Sequence, residues 1–159
     1  MIDYNFTGEF SCSLDSKNRL NVPSGIRKLI GPEANNTLIF APGFEQKNLY
    51  VYPLDEWKNL TNSFRKFKPN DKYAQNFMRF FVSGAHTVTM DAQGRIMLPS
   101  RILELASIKT DMLILGMVNK MEVWNPEVFE KYRSDLNIGL PELVDKINFS
   151  DMDYGDKEE

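Results

Sequence analysis

Two short segments of the chain pair an aspartate with an arginine four residues later, Asp15-Ser16-Lys17-Asn18-Arg19 and Asp91-Ala92-Gln93-Gly94-Arg95. The fourth position holds Asn18 in the first segment and Gly94 in the second, the residue types that most readily take a left-handed backbone conformation. The pattern predicts a tight hairpin loop, closed by a type I turn and a residue at positive φ. The aspartate is expected to accept hydrogen bonds from the turn amides.

The arginine that ends each segment is held near the tip of a rigid hairpin. A planar guanidinium in that position can bind a phosphate, or the O6/N7 edge of guanine, through two hydrogen bonds. Each arginine could instead pair with the aspartate of its own segment and lock the loop. We expect Asp15 and Asp91 to serve mainly the turn, and Arg19 and Arg95 to contact DNA.

The two segments lie inside an internal repeat with an offset of 76 residues. Residues 8–30 correspond to 84–106, and residues 49–52 match 121–124 at an offset of 72, so the first copy is four residues longer, around 42–45. Because Lys17 of the first loop corresponds to Gln93 of the second, we expect the first loop to contribute more. The identical pairs are Gly8/Gly84, Asp15/Asp91, Arg19/Arg95, Pro23/Pro99, Ser24/Ser100, Ile26/Ile102 and Leu29/Leu105.

Each copy is predicted to run as strand, tight loop, strand, short helix, hairpin and helix. Apolar residues alternate with polar ones on both sides of the loop, as in half-buried strands. Asn125 and Pro126 suit the first positions of the helix that ends the second copy. Between the copies, apolar residues three and four apart predict two amphipathic helices with these residues in the core: Trp57, Leu60, Phe64 and Phe67, then Tyr73, Phe77 and Phe80.

The net charge of −3 is unevenly distributed along the chain. Residues 151–159 hold five acids and one base, a net charge of −4, so residues 1–150 carry +1. Residues 62–82 carry five bases and one acid, and this helix could meet phosphates, a neighbouring subunit or only solvent. Residues 148–159 show neither helical nor strand periodicity and are expected to be mobile.

Few residues suggest catalysis, metal binding or membrane insertion. Cys12 cannot form an internal disulfide and is expected to be buried, and His86, the single histidine, cannot build a metal cluster by itself. An acid–base couple of Asp15 and Asp91 is disfavoured because a neighbouring arginine keeps each carboxylate ionised. No cofactor and no enzymatic activity are expected. An apolar run near ~18 residues and a signal peptide are both missing, so the chain is expected in the cytoplasm.

The sequence resembles the MraZ family of bacterial regulators of the division and cell wall gene cluster. The resemblance covers about residues 7–133, including both D-x-x-x-R loops and the Arg79-Phe80-Phe81-Val82-Ser83-Gly84-Ala85 run. It implies a mixed α+β, mainly β fold of two AbrB/SpoVT-like swapped-hairpin modules, interlocked in one chain as a pseudo-dimeric β-barrel with peripheral helices. The implied domains are a first DNA-binding repeat (7–53), connecting basic amphipathic helices (54–82), a second repeat (83–133) and a C-terminal segment with the acidic tail (134–159).

The resemblance also implies a function. It implies a nucleoid-associated regulator that assembles into a ring and binds tandem short boxes in double-stranded DNA upstream of its own operon, usually as a repressor. The implied DNA contacts are Arg19 and Arg95, with Lys17, Asn18, Gln93 and the two aspartates in support. The alternative is a non-catalytic assembly module that binds a protein, as AbrB-like antitoxins do through an acidic tail.

Overall fold

The computed structural model describes residues 3–147, which form a mixed α+β structure with an antiparallel sheet of six strands and a separate ribbon of two. The predicted element order is confirmed in both copies. The first comprises β1 (Glu9–Ser13), β2 (Arg19–Asn21), α1 (Ser24–Arg27), β3 (Thr37–Pro42), β4 (Asn48–Pro53) and α2 (Leu54–Ser63). The second comprises β5 (His86–Thr89), β6 (Arg95–Met97), α4 (Ser100–Leu105), β7 (Asp111–Met117), β8 (Lys120–Trp124) and α5 (Pro126–Leu136).

Further helices complete the described chain. A short 3-10 helix, Pro32–Ala34, precedes β3, and another, Phe64–Lys66, continues α2. Helix α3 (Lys72–Phe81) joins the two copies, and α6 (Leu140–Lys146) follows α5. The predicted start of α5 is confirmed, because Asn125 Oδ1 accepts hydrogen bonds from the amides of Glu127 and Val128 and Pro126 occupies the first turn. Within residues 3–147 no helix is both long and apolar enough to cross a bilayer.

The two repeats interlock through their strands. The six-stranded sheet has the order β1-β7-β8-β4-β3-β5, so β1 pairs with a strand of the second copy and β5 with a strand of the first. Strands β2 and β6, one from each copy, form the ribbon. The predicted barrel is not confirmed, because β2 and β6 pair with each other instead of bridging the edge strands, and neither sheet closes within the described residues.

The core lies between the ribbon side and one face of the large sheet. Leu20 of β2 and Ile96 of β6, each 2% exposed, pack in one apolar cluster with sheet residues such as Phe40 and Val51. Tyr4 and Phe6 belong to this cluster as well, although no pattern in the N-terminal segment predicted it. Full burial of a side chain of this size stabilises the fold by about 1.5–3 kcal/mol.

A second cluster covers the opposite face of the sheet. Tyr50 and Tyr52 of β4 point to this face, since they alternate with Leu49 and Val51 of the first cluster, and helices α2 and α3 pack against them. The prediction that the apolar residues spaced three and four apart in both helices lie in the core is wrong in part. Tyr73 is 91% exposed and Phe80 is 76% exposed, because α3 directs Phe77 and Phe81 to the sheet.

Candidate nucleic-acid interface

The first D-x-x-x-R loop is closed by backbone hydrogen bonds between its ends. The amide of Asp15 donates to the carbonyl of Arg19 (3.0 Å), and the amide of Asn18 donates to the carbonyl of Asp15 (3.1 Å). The second loop repeats this pattern, with 2.9 Å from Asp91 to Arg95 and 3.0 Å from Gly94 to Asp91. Asn18 lies at φ 58° and Gly94 at φ 76°, so the predicted residue at positive φ is confirmed in both loops.

The aspartate carboxylate organises the rest of each loop. Asp15 Oδ1 accepts hydrogen bonds from the amides of Lys17 (2.8 Å) and Arg19 (2.9 Å), as predicted for a turn-forming aspartate. Asp15 Oδ2 accepts one from Arg19 Nε at 2.7 Å, so the aspartate also pairs with its arginine. The Arg19 amide first, and then its side chain, hold the pKa of Asp15 below the usual 3.8 despite partial desolvation.

The second aspartate makes the equivalent set of contacts. Asp91 Oδ1 accepts from the amides of Gln93 (2.9 Å) and Arg95 (3.0 Å), and Oδ2 accepts from Arg95 Nε at 3.0 Å. The Arg95 amide is again the first cause of a lowered pKa for Asp91. Both carboxylates therefore stay ionised at neutral pH, which suits a structural role and not the proton exchange of an acid–base pair.

The aspartate of each loop holds its arginine at the Nε edge of the guanidinium, and the two arginines differ at the Nη atoms. The Nε of Arg19 contacts Asp15, while its Nη atoms have no hydrogen-bond partner in residues 3–147. Arg95 Nη2 donates to Gln93 Oε1 at 3.1 Å, a contact that Lys17 cannot offer in the first loop because lysine has no acceptor. The side chains of Arg19 and Arg95 are 35% and 37% exposed, so both can reach a ligand while the aspartates fix their direction.

The register of the β2–β6 ribbon brings the two arginines to one surface. Arg19 lies opposite Met97 and Asn21 lies opposite Arg95. Directly paired residues of antiparallel strands point to the same side, as do residues two apart. With Leu20 and Ile96 facing the core, these four side chains face outward, and the α-carbons of the arginines lie roughly 7–8 Å apart on a diagonal.

Each loop is also attached to the strand of the other repeat. The amide of Val22 donates to the carbonyl of Gly94 (3.0 Å), and the amide of Leu98 donates to that of Asn18 (3.0 Å). These bonds extend the ribbon beyond its paired residues into both loops. The positions of the two loops therefore depend on each other, which sequence spacing within one repeat does not show.

Arg27 is a basic residue that follows the first loop in the sequence but lies against the second. It belongs to α1 of the first repeat, yet its Nη1 donates to the carbonyl of Gln93 (3.4 Å) in the second loop. A Cβ on Gly94 would come within 2.4 Å of Arg27 Cδ, so the two residues are in close contact. The interlocking of the two repeats explains why Arg27 lies at the second loop and not at the first. The second loop thereby has a cation beside it, although it holds Gln93 where the first loop holds Lys17.

The basic stretch 62–82 lies away from both loops. Its helix α3 packs on the Tyr50 and Tyr52 side of the sheet, whereas the ribbon packs on the opposite side. Arg65, Lys66 and Lys72 are exposed there. One duplex resting on the ribbon of a subunit therefore cannot rest on this helix of the same subunit.

The remaining titratable candidates occupy structural positions. Cys12 of β1 is half-buried, and desolvation raises the pKa of its thiol, which disfavours the nucleophilic thiolate. His86 begins β5 and lies opposite Phe40 of β3. Within residues 3–147, no group of three or more histidine, cysteine, aspartate or glutamate side chains could hold a metal ion.

Comparisons with known proteins agree on one family. A family model described as "MraZ protein, putative antitoxin-like" matches residues 5–80 and again residues 81–141. A protein of Clostridium tetani named "Transcriptional regulator MraZ" is 34% identical over 143 residues, which is 90% of this chain and 96% of that protein. Proteins with the same name from Clostridium beijerinckii and Alkaliphilus metalliredigens are 36% and 33% identical over similar lengths.

Proposed function

The chain belongs to the MraZ family, and from this premise we propose that it is a transcriptional regulator that binds double-stranded DNA through its two D-x-x-x-R loops. The observation that carries the proposal is the common outward face of Arg19 and Arg95 on the ribbon. A two-stranded ribbon fits the major groove of B-DNA, and the open Nη edge of an arginine suits guanine O6/N7 or phosphate. The loops also contain Lys17, Asn18 and Gln93, which support contacts to the DNA backbone.

The aspartates contribute to this function by orienting the arginines. The carboxylate that binds Nε leaves the Nη atoms in a defined direction, so less side-chain entropy is lost on binding. An ion pair this exposed adds little to stability by itself. Its value lies in the geometry that it imposes on the DNA-contacting group.

The finer proposal concerns assembly and target. One ribbon presents only a few cations on a chain of net charge −3, so a single subunit would bind weakly. A ring of subunits on one duplex would gain affinity through effective concentration and would suit tandem short boxes. Large apolar surfaces that a neighbouring subunit could cover are exposed at Phe44, Tyr73 and Phe80. The target is the upstream region of its own division and cell wall operon, which the nucleoid-associated ring represses in the cytoplasm.

The second candidate is the protein-binding role that the words "antitoxin-like" in the family description favour. In that role the loops or the C-terminal tail would bind a partner protein in place of DNA. The tail, residues 148–159, lies outside the residues that the structure describes. Its expected mobility therefore stays a prediction. The salt dependence separates the candidates, because contact with Z phosphates gives a slope of about −0.9Z in a plot of log affinity against log salt concentration.

The experiment is footprinting of the DNA upstream of the chain's own gene, followed by a salt titration on the protected fragment. We expect evenly spaced protected boxes and an affinity that falls steeply with salt. The absence of protection at low salt would contradict DNA binding at this target, and evenly weak binding to all fragments would contradict sequence specificity. Light scattering of the free protein tests assembly separately, since a monomer would contradict the ring.

A further inference from the structure

The outer face of the β2–β6 ribbon carries two side chains besides the arginines. Asn21 lies opposite Arg95, and Met97 lies opposite Arg19. Met97 is 61% exposed although it lies in a strand whose neighbour Ile96 is 2% exposed. An apolar side chain thus lies on a surface that is otherwise polar and basic.

The internal repeat makes Asn21 and Met97 equivalent positions. They are 76 residues apart, as Arg19 and Arg95 are, and they exchange places across the Leu20–Ile96 pair. The arginines are the same in both halves of the ribbon, whereas this position holds an amide in one half and a thioether in the other. Lys17 and Gln93 also differ, but they lie in the loops and not on the ribbon.

We infer that Asn21 and Met97 read bases and thereby give the protein one orientation on each DNA box. The inference rests on the proposed function and deepens it. An asparagine amide can bind N6 and N7 of adenine together, and an apolar side chain can contact the C5 methyl group of thymine. The arginine is the same residue type in both halves of the ribbon, so on its outer face the amide and the thioether are the side chains that break the symmetry.

The dimensions of the ribbon suit this reading. The diagonal of roughly 7–8 Å between the arginines corresponds to about two base-pair steps at ~3.4 Å each. Asn21 and Met97 occupy the other diagonal of the same four-residue surface. The expected target is therefore a short asymmetric element. It contains an adenine and a thymine within the same few base pairs that the two arginines contact.

The first test replaces single thymines of a protected box with deoxyuridine, which lacks only the C5 methyl group. At one position the wild-type protein should lose affinity by about fourfold, the factor expected for one buried methyl group. Met97→Ala should bind the two duplexes equally. Met117→Ala, which removes another exposed methionine, should keep the wild-type difference. Equal sensitivity of wild type and Met97→Ala, or no sensitive thymine, would overturn the inference.

The second test exchanges the two side chains in the double variant Asn21→Met, Met97→Asn. Its composition and net charge equal those of the wild type, and both positions are exposed, so the fold should be retained. The variant should prefer a box whose adenine–thymine element is inverted between unchanged flanks. Retention of the wild-type preference would contradict the inference.

The failure of this inference is distinguishable from failure of the proposed function. If Arg19→Ala with Arg95→Ala abolishes binding while the deoxyuridine and exchange tests show no effect, the arginines bind DNA and Asn21 and Met97 do not read it. If the double arginine variant still binds, the proposed function itself fails.

Discussion

Leu20 and Ile96 lie directly opposite each other in the ribbon and occupy equivalent positions in the two repeats. A residue that pairs with its own repeat equivalent marks a local two-fold axis between the repeats. On the sheet side, Tyr50 and Glu122 form a second pair of this kind, since they are 72 residues apart in the matched hairpins. One chain therefore reproduces the symmetry of a dimer, and this symmetry brings Arg19 and Arg95 to one surface.

The core contact beneath the ribbon should contribute strongly to stability. Ile96→Ala removes a side chain that is 2% exposed and should lower the free energy of unfolding by about 2–5 kcal/mol. Urea denaturation measures this change. Leu105→Ala in α4, at a residue 40% exposed, serves as the control and should cost much less. Equal losses in the two variants would contradict the burial of Ile96 between the ribbon and the sheet.

The conformation of the second loop should make Gly94 sensitive to any side chain. Gly94→Ala places a Cβ at φ 76° and against Arg27, so it should destabilise the protein by about 1–2 kcal/mol from the backbone alone. Asn18→Gly is the matched variant in the first loop, where glycine fits φ 58° and should change stability by only a few tenths of a kcal/mol. Thermal unfolding of both variants would show a larger decrease for Gly94→Ala, and a reversed order would refute this account of the loops.

The lowered pKa values of Asp15 and Asp91 predict the pH range of loop stability. A carboxylate with a depressed folded-state pKa stabilises the fold fully above its usual value of 3.8, and this contribution is lost as pH falls through the lower folded value. Loop structure should thus be constant at neutral pH and be lost only in acid. Carboxyl chemical shifts followed by NMR report the titrations, and Asp15→Asn should lack one of them. A midpoint above 3.8 for either aspartate would contradict the hydrogen bonds described.

Arg27 should support DNA binding through the second loop. Arg27→Ala removes the contact to the Gln93 carbonyl and one cation near Arg95, so affinity should fall by roughly tenfold or less, the scale of one hydrogen bond. Lys28→Ala removes the same charge from the adjacent exposed residue and should have a smaller effect. Fluorescence anisotropy at fixed salt compares the two. A larger loss for Lys28→Ala would show that Arg27 has no specific role.

Local structure was predictable from the sequence wherever a short segment determines it. The loop conformation follows from Asp15 with Asn18 and from Asp91 with Gly94, because an acceptor and a residue tolerant of positive φ suffice to close the turn. The cap at Asn125 follows from the same kind of local chemistry. The repeat also indicated that two similar units share one fold.

Contacts between distant segments were not predictable in the same way. Arg27 reaches the second loop only because the strands of the two repeats interlock, and no spacing within one repeat encodes that pairing. Tyr73 and Phe80 have the periodicity of a core face, but a pattern of three and four cannot show which side of α3 meets the sheet. Asn21 and Met97 became candidates for base contact only when the register of the ribbon placed them beside the arginines.

The measurement that tests the central claim most directly is DNA binding by the double variant Arg19→Ala, Arg95→Ala. Its charge-matched control is Arg65→Ala, Arg133→Ala, because Arg65 lies in the 3-10 helix Phe64–Lys66 and Arg133 in α5, both outside the ribbon and its loops. Anisotropy on the upstream fragment should show no binding by the loop variant and near wild-type binding by the control, with unchanged thermal stability and assembly size in both. Retained binding by the loop variant, or an equal loss in the control, would contradict the claim that the paired loop arginines hold the DNA.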